Sequence, residues 1–269
     1  MSLKALKSRI FDITKGLSLG ERESQDLAMK TFISYGYEVF VKAFWVSNVN
    51  GEEGVDFFAS EAWQADLHDK IDGKALADSI MLYTKLVESS EPFSDVLSRL
   101  YEEILLDGRN GDGKAQFFTP EDLSKAIAQV LLPMGEINCW TTVKRVGDDT
   151  CGSGSLPMGC LNRIYKVNKS KLRYVSLHLN DIDQLACKAA ALQILSCLVL
   201  HRLKINALHI HNCNAITEWR KPKTLMFGFM RPEPNHSEDL FKMVDIFQRV
   251  CDEVKKEKPT KQKEIAYEG

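Results

Sequence analysis

Two acidic residues, a cysteine and two glycines lie close together in VGDDTCGSGS, residues 146 to 155. Asp148 and Asp149 end a segment rich in β-branched residues, and a helical pattern follows Gly154. Glycines between a strand and a helix let main-chain N–H groups approach an anionic group of a ligand closely. The surrounding residues must therefore indicate which ligand this turn binds.

Neither of the two common phosphate-binding loops is complete. A dinucleotide fingerprint needs a third glycine where Pro157 stands, and a P-loop needs lysine where Ser153 follows Gly152. The paired aspartates would repel a pyrophosphate, whereas they attract a cation. S-adenosylmethionine fits, because its ammonium and sulfonium groups are cationic and its carboxylate can accept N–H bonds from the turn.

Polar residues also end the next two predicted strands, Asp181 in LRYVSLHLNDID and Asn214 in NALHIHNCNAI. The intervals 148 to 181 and 181 to 214 are both 33 residues, about one strand-helix unit. In a parallel sheet, all three strand ends then share the carboxyl edge, where Asp181 suits a ribose diol and Asn214 an adenine edge. Two alternatives stay open: the glycines form only a tight turn, or Asp181 is a helix N-cap.

Upstream, AQFFTPEDL predicts the start of a helix. We expect Thr119 to cap it, with Pro120 as its first residue and Asp122 as its third. Phe117 and Phe118 would lie beside this cap. Either one of them lines a pocket and packs against an adenosine, or both are buried.

The elements that must position these residues follow from hydrophobic periodicity. Residues 1–110 show helical spacing, and the glycine-rich run LDGRNGDGKAQ marks a boundary. Strands then alternate with helices, which predicts an α/β fold with a parallel sheet. We expect a helical region (1–110), a cofactor-binding domain (111–235) and a C-terminal helix with a polar tail (236–269).

Composition restricts the class of protein. Hydrophobic residues make up 44% of the 269 residues and charged residues 27%, which is typical of a soluble globular protein. The net charge of -2 provides no overall attraction to nucleic acid, so DNA binding would need a local basic patch or a partner subunit. The chain has no signal-peptide pattern and no apolar run of about 18 residues, so we expect a cytoplasmic protein.

The seven cysteines are irregularly spaced without a Cys-x-x-Cys pair, which predicts reduced, mostly buried thiols. No metal site is expected, because no carboxylate or cysteine stands at ligand spacing from His209 and His211. Cys151 is not interpreted as a nucleophile, since no base lies near it in the sequence.

Four motifs in this order, AQFFTP, VGDDTCGSGSL, LNDIDQLACKAAALQ and HNCNAI, resemble those of N6-adenine DNA methyltransferases. The resemblance covers roughly residues 95 to 217 and is to the modification subunits of type I restriction-modification systems and their relatives. It implies a Rossmann-like S-adenosylmethionine-dependent methyltransferase fold with an incomplete sheet, preceded by a helical region. The cofactor contacts implied are Gln116, Phe117, Phe118, Thr119, Pro120, Asp148, Thr150, Cys151, Gly152, Ser153, Gly154, Asp181, Ile182, Asn214 and Ala215.

The sequence departs from this family in several places. Asp149 replaces a common proline, and Cys213-Asn214 replaces a common Gly-Asp. The family's catalytic Asn-Pro-Pro-aromatic motif holds a flipped adenine, but this sequence has no Pro-Pro. In KPKTLMFGFMRPEPN, the residues of suitable type (Phe227, Phe229 and Asn235) have the wrong spacing, and a strand ending in a turn is favoured.

Two functions are consistent with these motifs and departures. The first is an S-adenosylmethionine-binding, DNA adenine-N6 methyltransferase-like protein of restriction-modification type. The alternative is an inactive, truncated homologue that binds or regulates restriction-modification subunits. After residue 235, one helix and a polar tail are too little for the last strands or a target-recognition domain, so we expect DNA contact only with specificity or methylase chains.

Overall fold

The N-terminal part of the chain is mainly helical. The computed structural model describes residues 2–60, 65, 69–100, 119–218, 221 and 223–234. Its first elements are α1 (Leu3–Asp12), α2 (Glu21–Asn48), β1 (Asp56–Ala59) and α3 (Gly73–Ser89), and residues 96–100 are also helical. The predicted helical character is confirmed in these residues. Strand β1 was missed, because it is short and lies where a break between helices was predicted.

From residue 121 onward, helices alternate with strands as predicted. The elements are α4 (Glu121–Leu131), α5 (Met134–Asn138), β2 (Lys144–Asp148), α6 (Ser155–Asn168), β3 (Val175–Asp181), α7 (Gln184–Leu200), β4 (Ala207–Asn212) and β5 (Leu225–Met230). A 3₁₀ helix (Lys169–Tyr174) connects α6 to β3.

The five described strands form one mixed sheet in the order β1-β5-β4-β3-β2. Strands β2, β3 and β4 are parallel, whereas β5 and β1 extend the sheet with antiparallel pairing beyond β4. The predicted parallel sheet is confirmed for the three strands that carry the candidate site. Because their crossovers run in one direction, right-handed connections place α6 and α7 on the same face of the sheet.

Helix α7 lies at the centre of the core. Its residues 187–198 are all buried, since one side of the helix packs on the sheet and the other on α2. The sheet presents the cross-strand neighbours Leu177, Leu208 and Phe229 to this core. Phe44 of α2 extends the packing, with its ring 4.5 Å from that of Phe229.

The N-terminal helices share this core with the sheet. Tyr83 of α3 is fully buried, and its Oη lies 3.0 Å from Ser196 Oγ of α7. Two compact units are distinguished, Met1–Glu233 and Pro234–Gly269, and almost all of the described residues belong to the first. The boundary predicted near residue 110 lies outside the described residues and stays a prediction.

Candidate functional site

The ends of the parallel strands meet at one edge, as their spacing predicted. Asp148 ends β2 and Asp181 ends β3, and Asp181 is the register partner of Asn212, the last residue of β4. The prediction that Asn214 ends the third strand was wrong by two residues. Pairing stops at Asn212, and Asn214 instead begins a turn in which its Oδ1 accepts the N–H groups of Ile216 and Thr217.

Both glycines of the turn have a left-handed backbone, but only one of them lacks space for a side chain. Gly152 and Gly154 have φ angles of +53° and +91°. A Cβ on Gly154 would lie 3.2 Å from Cα and Cβ of Ala190 in α7, whereas a Cβ on Gly152 would meet nothing within 4 Å. Gly154 therefore permits close helix packing, and Gly152 leaves open space above the turn.

Asp181 joins the glycine turn to β3. Its Oδ2 accepts the Gly152 N–H at 2.9 Å, and its Oδ1 accepts the Asp183 N–H at 2.9 Å. The N-cap of α7 is Asp183, whose side chain accepts the Leu185 N–H, so the alternative of Asp181 as that cap is wrong. Each carboxylate oxygen of Asp181 retains a lone pair that can accept a hydroxyl group.

Asp148 lies in an environment that favours a positively charged neighbour. Burial raises the pKa of its carboxyl group, and repulsion from Asp149 and Asp181 raises this pKa further. The Thr150 N–H, 3.2 Å from Asp148 Oδ1, opposes the shift only in part. A cationic group beside these acids would favour the charged form of Asp148.

Asn180 was not predicted from the sequence. It forms hydrogen bonds that connect the ends of β2, β3 and β4. Its side chain is 1% exposed, and its Nδ2 donates to Asp149 O and Cys213 O at 3.0 and 3.1 Å. The Cys213 Sγ donates to Asn180 Oδ1, and the Cys151 N–H donates to Asn180 O. Strand alternation places Asn180 on the same face as Ser176 and His178, so the sequence pattern gave no signal of its role.

A second missed group supports the turn from the N-terminal side. Asp95 is buried and accepts both the N–H and the hydroxyl of Ser98. The Ser98 Oγ lies 2.7 Å from Ser155 Oγ at the start of α6. Gln193 of α7 completes the support, since its Nε2 donates to Ser153 O at 2.9 Å. This network connects sequence segments too far apart for spacing to reveal it.

Helix α4 begins one residue later than predicted. Pro120 occupies the N-cap with ψ 144°, and no side chain caps the helix, so the predictions that Thr119 caps it and that Pro120 is its first residue were wrong. Pro120 keeps an extended ψ, which an N-cap requires and a first helical residue does not have. Gln116, Phe117 and Phe118 lie outside the described residues.

Apolar side chains flank the strand ends. Ile182, directly after Asp181, is 71% exposed, and Ile216, which the sequence analysis did not single out, is 92% exposed. Ala215 between them along the chain is half-buried. These surfaces can pack against a planar base, while the neighbouring amides and carboxylates accept or donate hydrogen bonds.

The residues considered for acceptor binding lie elsewhere. Phe227 and Phe229 are in β5, at 0% and 2% exposure, and their rings contact aromatic residues of the core. Their interpretation as strand residues is confirmed. Asn235 lies outside the described residues. Strand β5 pairs with β4, so it extends the sheet on the side away from β2.

Two other groups of reactive side chains have structural surroundings. His178 and His209 stack with ring centroids 4.9 Å apart, and burial lowers the pKa of His209 to about 4. Within the described ranges, no three histidine, cysteine or acidic side chains meet as possible metal ligands. Burial raises the pKa of Cys151, which keeps its thiol protonated. The prediction of buried thiols is confirmed for five of the six cysteines in the described part; Cys139 is exposed.

Comparison with known proteins places this geometry in a family. A model of the N-6 DNA methylase family matches residues 93–267, which include the glycine turn and all three strand ends. The chain belongs to this family. The match leaves α1, α2 and α3 outside the family segment.

The type I restriction enzyme MpnII methylase subunit of Mycoplasma pneumoniae is 27% identical over 131 residues, which are 47% of this chain and 22% of that protein. A class I S-adenosylmethionine-dependent methyltransferase structure from Listeria monocytogenes gives a TM-score of 0.43 at 17% identity, covering 80% of this chain and 54% of the other. A type I restriction-modification methyltransferase subunit from Streptococcus thermophilus gives 0.39 at 17% identity, covering 82% and 41%. The chain thus spans about a fifth to a half of the length of these relatives. Among its described helices, none is long and apolar enough to cross a membrane.

Proposed function

We propose that this restriction-modification type, methyltransferase-like chain binds S-adenosylmethionine at the carboxyl edge of β2, β3 and β4. The observation that carries the proposal is the convergence of Asp148, the glycine turn and Asp181, with Gly152 bonded directly to Asp181. The bound cofactor supplies a methyl group, and the target is the N6 amine of adenine in DNA. The chain acts in the cytoplasm together with specificity or methylase subunits.

The residues of the turn fit the charged end of this cofactor. Asp148 lies in a partly buried acidic environment whose repulsion a cationic ammonium or sulfonium group would relieve. The open space above Gly152 admits a ligand against the main chain, and the start of α6 offers N–H groups to a carboxylate. Bonds from the Cys151 N–H to Asn180 O and from Gln193 Nε2 to Ser153 O fix this main chain. Thr150, Cys151, Ser153 and Gly154 are proposed to contact the cofactor.

The neighbouring strand ends fit the nucleoside. Asp181 can accept the ribose hydroxyls with its remaining lone pairs. Ile182 and Ala215 offer apolar surface to the adenine, and Asn214 is proposed to contact its edge. The segment from Gln116 to Pro120 is proposed to contact the cofactor, as the family resemblance implies.

Calorimetric titration with S-adenosylmethionine tests this site. We expect saturable binding that Asp148→Asn weakens at least tenfold and that Gly152→Trp abolishes by filling the open space. Asp56→Asn is a matched control, because Asp56 is an exposed aspartate of β1 at the opposite edge of the sheet. Absence of binding by the folded wild-type chain would refute the proposal.

A second candidate is a non-catalytic protein that retains the cofactor site and acts on restriction-modification subunits. It is favoured by the missing Asn-Pro-Pro-aromatic motif and by β5, whose aromatic residues are buried in the core. The two candidates differ in methyl transfer. In an assay with tritiated cofactor and adenine-rich DNA, transfer by the chain alone would exclude the non-catalytic candidate; transfer only after addition of a partner chain would support shared catalysis.

A further inference from the structure

The strand that carries the glycine turn has an open edge. Among the described residues, β2 pairs with β3 and with no other strand. Lys144, Arg145 and Gly147 of β2 are exposed. Parallel strands are usually buried within a sheet, and an unpaired edge presents N–H and C=O groups that can bind another strand.

Helix α4 exposes an apolar stripe, defined by Leu123, Ile127, Val130 and Leu131. Spacings of three and four residues place these side chains on one helical face. Leu123, Val130 and Leu131 are 50%, 80% and 62% exposed, and Ile127 is half-buried. An amphipathic helix normally turns such a stripe toward a core, so this face lacks the partner that its sequence pattern requires.

The adjoining face of α4 holds the helix in place. Ser124 and Ala128 are buried, and a Cβ on Gly159 of α6 would lie 2.7 Å from Ser124 O. These small residues therefore allow α4 to pack closely on α6. The apolar stripe is not left outward by loose attachment, because α4 is closely packed through its other side.

The open edge and the apolar stripe belong to the same region. Helix α7 contacts β3 and β4, α6 contacts β2, and α4 contacts α6. The helical layer therefore runs from α7 through α6 to α4, and α4 is the member of this layer that follows α6 on the side of β2. In doubly wound sheets, the ligand crevice lies where the strand order reverses, with a strand on each side. Here the strand on the outer side of β2 is missing from the described residues.

We propose that β2 and the apolar stripe bind a polypeptide outside these 269 residues, which adds a parallel strand to β2 and apolar side chains beneath α4. We assign this polypeptide as the remaining half of the methyltransferase sheet, which brings the acceptor-binding residues to the cofactor edge; this assignment rests on the proposed function. The coverage of 22%, 54% and 41% of the three relatives agrees with such a division.

A second copy of the chain fits this region less well. A two-fold axis would pair the β2 strands antiparallel, so the two glycine turns would lie at opposite ends of the joint sheet. Neither turn would then gain a parallel neighbour at its carboxyl end. The proposal therefore commits to a different polypeptide rather than to a homodimer.

Photo-crosslinking tests the proposal with the full chain produced from its own gene in its native cells. Benzoylphenylalanine replaces Val130 in the apolar stripe, and crosslinked peptides are identified by mass spectrometry. We expect linkage to a polypeptide outside residues 1–269 that contains a β-strand followed by Asn-Pro-Pro-aromatic. Leu131→Glu should lower the crosslink yield at least tenfold. The matched Met81→Glu, at an exposed position of α3, should leave the crosslink yield unchanged.

The other outcomes would overturn this inference. They are no crosslink, a crosslink to a second copy, a crosslink within residues 1–269, or a crosslink to a protein without such a strand. Circular dichroism of each variant shows whether it folds, and the exposed stripe should tolerate glutamate. Cofactor titration is independent of the crosslink, so loss of cofactor binding with retained crosslinking refutes only the proposed function.

Discussion

At the scale of single residues, the carboxyl edge of β2, β3 and β4 depends on side chains that bond to the main chain. Asp181 accepts the N–H of Gly152, and Asn180 binds carbonyl groups from the segments after β2 and β4. Buried amide and carboxylate groups of this kind stabilise a loop only when their partners are all present. Single substitutions at Asn180 or Asp148 should therefore have distinct effects.

The substitution Asn180→Asp keeps the shape of the side chain but replaces a donor with an acceptor. Two buried carbonyl groups, Asp149 O and Cys213 O, then lose their bond. We expect the free energy of unfolding to fall by about 2–4 kcal/mol in urea denaturation. The control Asn168→Asp, at an exposed cap that still accepts the Ser170 N–H, should cost less than about 1 kcal/mol. Equal losses for both variants would contradict the role of Asn180.

Cofactor binding should weaken as the pH falls. The pKa of Asp148 is raised by burial and by its acidic neighbours, so this carboxyl takes up a proton at a higher pH than usual. Protonation removes the charge that a cationic ligand needs, and ligand binding should therefore release protons in mildly acidic solution. Calorimetry between about pH 7 and 4 measures both effects. Asp148→Asn should bind more weakly and lose this part of the pH dependence; an unchanged profile would argue against the assignment.

At the scale of elements, the glycine turn and the start of α7 pack as one unit. Gly154 has a positive φ and faces Ala190, whereas Gly152 has a positive φ and faces open space. The sequence alone gives both glycines the same appearance. Only the neighbouring helix distinguishes the glycine required for packing from the one that leaves room for a ligand.

Alanine substitutions separate these two glycines. Gly154→Ala combines left-handed backbone strain with a close contact on α7, and should lower the free energy of unfolding by about 2–4 kcal/mol. Gly152→Ala adds backbone strain alone, about 1–2 kcal/mol. Thermal or urea unfolding ranks the variants. A smaller loss of unfolding free energy for Gly154→Ala than for Gly152→Ala would show that the packing against Ala190 contributes little to stability.

At the scale of the whole molecule, the N-terminal helices and the sheet share one core within residues Met1–Glu233. Helices α2 and α3 both pack on α7. The bond between Tyr83 Oη and Ser196 Oγ and the bond from the Phe93 N–H to Cys197 Sγ cross this contact. We expect the helices and the sheet to unfold together, because neither can lose this contact without exposing the other's apolar surface.

Fluorescence of single tryptophans tests this cooperativity. Trp45 reports on α2, and Trp140, buried before β2, reports on the sheet. Variants that retain either Trp45 or Trp140 as their single tryptophan should show the same urea midpoint. Tyr83→Phe should lower the free energy of unfolding by about 1 kcal/mol for both probes, since it removes one buried hydrogen bond. Two separate midpoints would show that the helical region unfolds independently.

Much of the candidate site was predictable from the sequence, because the strand ends and the glycine turn depend on the local pattern of residue types. The β-branched segments ending in acids, their equal spacing and the glycines specify parallel strands with their polar ends together. The start of α4 was predicted one residue early, because proline at a helix start can occupy either the cap or the first turn. Asn180 and the Ser98–Ser155 contact were not predictable, since their partners are distant in sequence.

By itself, the sequence determined the alternation of strands and helices, the parallel direction of β2, β3 and β4, and the acids that end β2 and β3, because periodicity and turn residues act over a few positions. Only the tertiary structure decided that β5 pairs beyond β4, that its phenylalanines enter the core and that β2, among the described residues, has no strand on its outer side. Strand order depends on which apolar faces meet after collapse, and local spacing carries no record of that choice.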